Sequence, residues 1–123
     1  MAMRPLIFLV DDDESVRESL PDLLREFGYE VRAFSAAKDF LVSDRGTQCD
    51  CLILDIAMPE MSGTDLLAEL KRRRRDVPTV FITAQFDEKI RPLLLGQGAV
   101  DCLFKPFSQT ALLGALELAI PTR

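Results

Sequence analysis

Five apolar runs of strand length punctuate this chain, and each is followed by a segment with helical periodicity. The runs are Leu6–Val10, Tyr29–Phe34, Cys51–Leu54, Thr79–Thr83 and Val100–Phe104. Strict alternation of this kind fits a parallel sheet with helices on both faces. Right-handed crossovers prune the remaining topologies. The expected fold is α/β: a doubly wound five-stranded parallel sheet in strand order 2-1-3-4-5, with five helices.

The helical segments carry their own boundaries. Val16, Leu20, Leu24 and Phe27 share one face of a helix over Glu14–Phe27, which Gly28 stops. Pro21 removes a backbone donor there and should kink that helix. Ser35 can cap a short helix from Ala36 to about Ser43, before a loop over Asp44–Asp50. Ser62 and Asp65 resemble a capping box that opens a helix to about Arg73. Asp87 can cap a helix to Gly96 or Gln97, bent or shortened by Pro92 and closed by Gly98. Ser108 caps the last helix, to about Ile120. A length of 123 residues without internal repeat or linker fits one domain over 1–123. No apolar run approaches the ~18 residues of a membrane span. Met1–Pro5 is too short for a signal peptide, so a cytoplasmic location is expected.

Charge and composition remove several functions. A net charge of −5 argues against generic nucleic-acid binding. The chain has no histidine, which excludes a Ser-His-Asp triad, His-ligated metal and phosphohistidine on this chain. Cys49, Cys51 and Cys102 cannot all pair; they read as reduced, buried thiols. Cys49-x-Cys51 lacks the further ligands that structural zinc wants. Lys71-Arg72-Arg73-Arg74-Arg75 looks like a nucleic-acid patch, but a helix C-terminus favours cations and reads better as a solvated helix end.

Ligands of open α/β sheets bind outside the carboxyl ends of the strands, where strand order reverses. The first strand ends in Asp11-Asp12-Asp13, the third in Asp55, the fourth in Thr83-Ala84 and the fifth in Phe104-Lys105-Pro106. Carboxylates cost free energy to crowd and desolvate, so a cation belongs among them. Mg²⁺ takes oxygen ligands and keeps waters, and Asp12 and Asp55 can supply carboxylates. Phosphoryl transfer would employ every one of these groups, with Asp55 as nucleophile, Lys105 pairing with one phosphoryl oxygen and Thr83 donating to another. Asp13 reads as the cap of the first helix.

These residues resemble the receiver domain of bacterial two-component response regulators, which is CheY-like (flavodoxin-like) in fold. The resemblance rests on Val10-Asp11-Asp12-Asp13, Asp55-x-x-Met58-Pro59-x-x-Ser62-Gly63, Thr83-Ala84, Gly98-Ala99-Val100-Asp101 and Lys105-Pro106-Phe107. The Met58-Pro59 and Gly98–Asp101 stretches look most like the FixJ-type subgroup. The resemblance implies that Asp55 is the phosphoacceptor and Asp11 part of the acidic pocket. Asp12, Asp55 and the Ala57 carbonyl would hold Mg²⁺. Thr83 would be the switch hydroxyl, Lys105 its lysine partner, and Lys105-Pro106 a cis peptide. Ala57 and Gln85 would tune water access. A sensor histidine kinase would be the partner and donate the phosphoryl group. The response would be dimerisation through the helix 4, strand 5, helix 5 face, or release of an output domain. The chain would then be no enzyme beyond its own phosphotransfer and autodephosphorylation. FixJ-type receivers usually precede a helix-turn-helix DNA-binding domain, so this chain reads as an excised piece that meets DNA only through such a domain.

Two positions depart from the pattern. The family usually places Tyr or Phe three residues before the lysine; here that residue is Cys102. The expectation is that signal passes through the Thr83–Phe86 loop and the adjacent helix. The second departure is Pro92 with Leu93-Leu94-Leu95 in that helix, which in this family belongs to the output face; a remodelled helix or one packed on a partner is expected, with one leucine exposed for that partner. Two other functions fit parts of the pattern. A haloacid-dehalogenase-type phosphohydrolase would use Asp11-x-Asp13, but a second acidic pair near the end is missing. A pseudo-receiver, an interaction module without phosphotransfer, is disfavoured by the intact acidic set. An acidic first loop disfavours a flavodoxin-like cofactor binder.

Overall fold

In a computed structural model of the chain, which describes residues 4–43 and 49–121, the elements alternate throughout. They are β1 (Leu6–Val10), α1 (Glu14–Glu26), β2 (Glu30–Phe34), α2 (Ala37–Ser43), β3 (Cys51–Asp55), α3 (Gly63–Arg72), β4 (Thr79–Thr83), α4 (Ile90–Gly96), β5 (Asp101–Phe104) and α5 (Gln109–Ala119). The strands form one parallel sheet in the order β2-β1-β3-β4-β5. The central strands β3 and β4 are buried along their whole length, as continuous apolar runs require when both faces are covered.

Alternating side chains build two cores. On the α1 and α5 face, Ile7, Leu9, Ile53, Val80 and Ile82 meet Leu24, Leu112 and Leu116. On the other face, Phe8, Val10, Leu52, Leu54 and Phe81 meet Phe40, Leu66, Leu70 and Leu94. A period of two along each strand produces this division.

Most caps act as the sequence indicates. Asp13 caps α1, its carboxylate accepting from the Ser15 N–H at 2.9 Å. Ser62 and Asp65 form the reciprocal box of α3, and Ser108 accepts from Ala111 N at 3.0 Å to open α5. Gly28 and Gly98 take φ of 95° and 103°, the left-handed form that ends a helix at low cost in glycine. Cationic Lys71–Arg75 is largely engaged within the chain: Arg72 and Arg73 both bind Glu69, and Lys71 donates to the Gln97 carbonyl, tying α3 to the end of α4. This agrees with the helix-end reading. In the leucine run of α4, Leu93 is exposed and Leu94 is fully buried.

Pro21 sits buried inside α1, which runs from Glu14 to Glu26 across it. Burial of Leu20, Pro21 and Leu24 on one face offsets the one lost backbone bond. Two local expectations are corrected. Helix α2 begins at Ala37, so the residue before it is Ala36 and not Ser35. Asp87 closes a turn by accepting from Lys89 N at 3.0 Å, and α4 starts only at Ile90. Pro92 is thus in the first turn, where the missing N–H costs nothing, and α4 is short rather than bent. The loop expected over Asp44–Asp50 lies mostly outside the described residues.

Candidate functional site

The sheet order places β1 beside β3, so the ends of these strands meet where the chain reverses its winding. Val10 pairs with Leu54 in register, which sets Asp11 beside Asp55 at the carboxyl edge. Among the described residues, Asp11, Asp12 and Asp55 are the cluster of possible metal ligands, each offering an oxygen within 4.8 Å of the others. Cys49 and Cys51 do not join such a cluster. Burial pushes the Cys51 thiol up to about 12, which keeps it protonated and inert.

Asp11 is fully buried, and its two carboxylate oxygens are both engaged. One accepts from the Asp13 N–H at 2.9 Å; the other accepts from Lys105 Nζ at 2.8 Å. Lys105 Nζ also lies 3.9 Å from Asp55 Oδ1, so one ammonium serves two carboxylates. Lys105 is held here by β5: its N–H donates to the Thr83 carbonyl at 2.7 Å, and the peptide to Pro106 is cis. Thr83 is buried one residue beyond Ile82, the register partner of Asp55. Its hydroxyl accepts from the Gln85 N–H at 3.1 Å.

One ammonium among three carboxylates leaves the edge short of positive charge. Asp55 shows it: burial, reinforced by the Asp11 charge, raises its carboxyl from 3.8 to about 7, against the pull of Lys105. Crowded oxygen donors with this excess of negative charge suit a hard divalent cation. Asp12, exposed at the rim, leaves an approach from solvent. Ala57 is exposed on the loop that leaves β3. Cys102 is only 2% exposed and faces Phe81 across β4 and β5, away from the edge where Thr83 lies.

The roles of two contributors escape a reading of the sequence. Arg17, one turn into α1, donates to the Asp11 carbonyl at 3.0 Å and fixes the turn that carries the acidic pair. Gly63 donates to the Ile56 carbonyl at 2.8 Å and brings the start of α3 against β3. A Cβ there would lie 2.2 Å from the backbone oxygen of Asp55 itself. Gly63→Ala is therefore expected to destabilise the chain by about 3 kcal/mol, since neither backbone can yield without displacing the site. Urea unfolding measures this; a cost under about 1 kcal/mol would show that the loop absorbs the clash.

Comparison with known proteins agrees with this geometry. The family of response regulator receiver domains matches residues 7–117. The response regulator protein TodT of Pseudomonas putida is 41% identical over 115 residues, 94% of this chain and 51% of that protein. The response regulator StyR superposes with a TM-score of 0.88 at 44% identity, over 96% of this chain and 60% of that one. FixJ-N superposes with a TM-score of 0.86 at 33% identity, over 96% and 94%. The chain spans about half the length of the first relatives it matches.

Proposed function

This chain belongs to the response-regulator receiver domains, and on that premise we propose that Asp55 is the phosphoacceptor of a switch driven by a sensor histidine kinase. The observation that carries this assignment is the depleted charge at the strand ends. Asp55 stands next to buried Asp11, with one ammonium shared between them and an open side at Asp12.

In this reading an Asp55 oxygen attacks phosphorus of the donor's phosphohistidine. An O–P bond forms, the N–P bond breaks, and its electron pair returns to the imidazole of the kinase. Asp12, Asp55 and the Ala57 carbonyl would hold Mg²⁺, with Asp11 behind them. When bound, the ion supplies the positive charge that lets an anionic donor approach an anionic nucleophile. Lys105, poised between both carboxylates, turns toward a phosphoryl oxygen once Asp55 is modified. Thr83 donates its hydroxyl to another. The new charge favours one of two arrangements of the helix α4, strand β5 and helix α5 face. That face would carry homodimerisation or the contact with an output domain, as the relatives' greater length suggests. The chain has no catalytic role beyond its own phosphotransfer and autodephosphorylation. A cytoplasmic location follows from the kinase partner; among the described residues no helix is long and apolar enough to cross a membrane. The dehalogenase and pseudo-receiver readings lack support from the family match.

Incubation with acetyl phosphate and Mg²⁺ tests this directly. The expected product carries one phosphoryl group, at Asp55 by peptide mapping. Labelling of Asp11, or none at all, overturns the assignment. Docking of the kinase can be separated from chemistry. A groove of about 250 Å³ between α1 and the β5–α5 loop is lined by Val16, Ser19, Leu20, Lys105, Pro106 and Phe107, beside the site. Ser19→Arg, on its exposed rim, should slow transfer from the kinase by about tenfold and leave acetyl phosphate labelling unchanged. Equal loss with both donors would place Ser19 outside the docking surface.

A further inference from the structure

We propose that the paired rings of Phe86 and Phe104 form a clasp, closed in the unphosphorylated chain, that holds Thr83 away from the phosphoryl site and opens when Asp55 is modified. The inference rests on the receiver reading above and names the ring contact by which the Thr83–Phe86 loop would act.

Phe104 is the register partner of Thr83 across the β4–β5 pair. Register partners of a parallel sheet project to the same face, so Thr83 has an aromatic neighbour directly beside it. Cys102 occupies the equivalent place one step earlier, beside Phe81. The loop over residues 84–89 is exposed throughout. It is tied back to β4 by the Gln85 N–H on the Thr83 hydroxyl, at 3.1 Å. Its tie to β5 is the Phe86 ring, whose centroid lies 4.9 Å from that of Phe104 at an interplanar angle of 53°. Helix α4, which the loop enters at Ile90, is fixed to β5 by the Arg91–Asp101 ion pair at 2.8 Å, so the far end of the loop is anchored independently and the ring pair governs the stretch between that anchor and Thr83.

Phe86 is 73% exposed, the highest value among the large apolar side chains of the described residues. Such a ring gains little from burial. Its position is set by the contact with Phe104, and aromatic pairs of this geometry hold each other beyond their buried area. The two ties act on one another. For Thr83 to donate to a phosphoryl oxygen its side chain must turn toward Asp55. The Gln85 N–H then loses its acceptor, the loop is released, and the Phe86 ring leaves Phe104. Closed rings favour the unmodified arrangement; a phosphoryl group favours the open one. Each opposes the other by the same free energy.

The chain has no tryptophan, so Phe86→Trp introduces a single reporter at an exposed position that tolerates it. Beryllofluoride with Mg²⁺ serves as the phosphoryl probe. Saturating probe should red-shift and lower the Trp emission as the ring leaves its partner, and the same titration with Asp55→Asn added should leave it unchanged. In the otherwise unaltered chain, Phe86→Ala should tighten beryllofluoride binding about fivefold, because the closed state loses its stabilisation. Phe86→Tyr should restore the original affinity. General damage to the loop would weaken binding instead, so unchanged or weaker binding by Phe86→Ala overturns the clasp. Acetyl phosphate labelling of Asp55, measured on the same samples, separates the two proposals. Labelling with a silent Trp overturns the clasp and leaves the receiver reading intact; absence of both labelling and probe binding overturns both.

Discussion

Asp55→Asn is expected to abolish phosphoryl labelling and, in the metal-free chain at pH 8, to make the fold more stable. The loss of labelling follows because the amide cannot act as the attacking carboxylate. The gain in stability follows from the sign of the Asp55 shift. Its carboxyl is raised from 3.8 to about 7 in the fold, mainly by burial and then by Asp11. The folded state therefore holds a proton on Asp55 that the unfolded state has released between these two values. Stability falls with rising pH wherever the folded state binds more protons. Asp55 thus costs the fold nothing below about pH 4, an increasing amount up to about pH 7, and a constant amount above. A shift of this size corresponds to about 4 kcal/mol at most. Water and mobile ions reach the edge past exposed Asp12, so screening reduces the expected gain to about 2 kcal/mol. Urea unfolding of both proteins in a chelator, from pH 4 to pH 8, is the measurement. The two curves should converge at the acid end and separate through the interval. A gain that is absent at pH 8, or independent of pH, removes the charge argument on which the Asp55 assignment stands.

What is legible in the sequence, and what is hidden, divides along a physical line. Strand ends, capping residues and stop glycines act over a few residues, and these are readable. Asp13, Ser62, Ser108, Gly28 and Gly98 all play the local part that their chemistry suggests. The gathering of Asp11, Asp12, Asp55, Thr83 and Lys105 at one edge is also readable, because parallel winding puts every strand's carboxyl end on the same side. The start of α4 is not. Asp87 has the chemistry of a cap, yet it closes a turn three residues upstream, and Pro92 is neutral at the place where the helix actually begins. Glu60 takes φ of 68° without the glycine or asparagine that usually announces that conformation. Gly63 looks like an ordinary helix start; only the folded loop shows the Asp55 backbone against it. The Phe86–Phe104 pair depends on the register of β4 with β5, which no local pattern carries. Arg17 reaches the Asp11 carbonyl for a similar reason, through the angle at which α1 leaves its strand.

Lys105→Met should cost the metal-free chain about 3 kcal/mol at pH 8, the larger of the stability effects expected from a change at the site itself. Methionine keeps most of the apolar stem and removes the ammonium, so the experiment isolates charge from packing. Asp11 is fully buried, and the contact to Lys105 Nζ at 2.8 Å is its ion pair. A buried pair adds little compared with two apolar groups, but a carboxylate left without its cation carries the full cost of its burial. The neighbouring Asp55 makes this worse, because the 3.9 Å contact to the same ammonium offsets part of its repulsion with Asp11. Two further arms identify the cause. Adding Asp55→Asn to Lys105→Met should return about half of the loss, by removing one of two uncompensated charges. Millimolar Mg²⁺ should stabilise Lys105→Met more than the unaltered chain, since a divalent cation replaces charge that only the altered site has lost. A loss under about 1 kcal/mol would mark the pair as an ordinary surface contact. Equal stabilisation of both proteins by Mg²⁺ would instead separate Lys105 from the metal site. With both arms as expected, Lys105 holds the acidic edge folded until a cation and a phosphoryl group arrive, which is what frees its ammonium to follow the new charge.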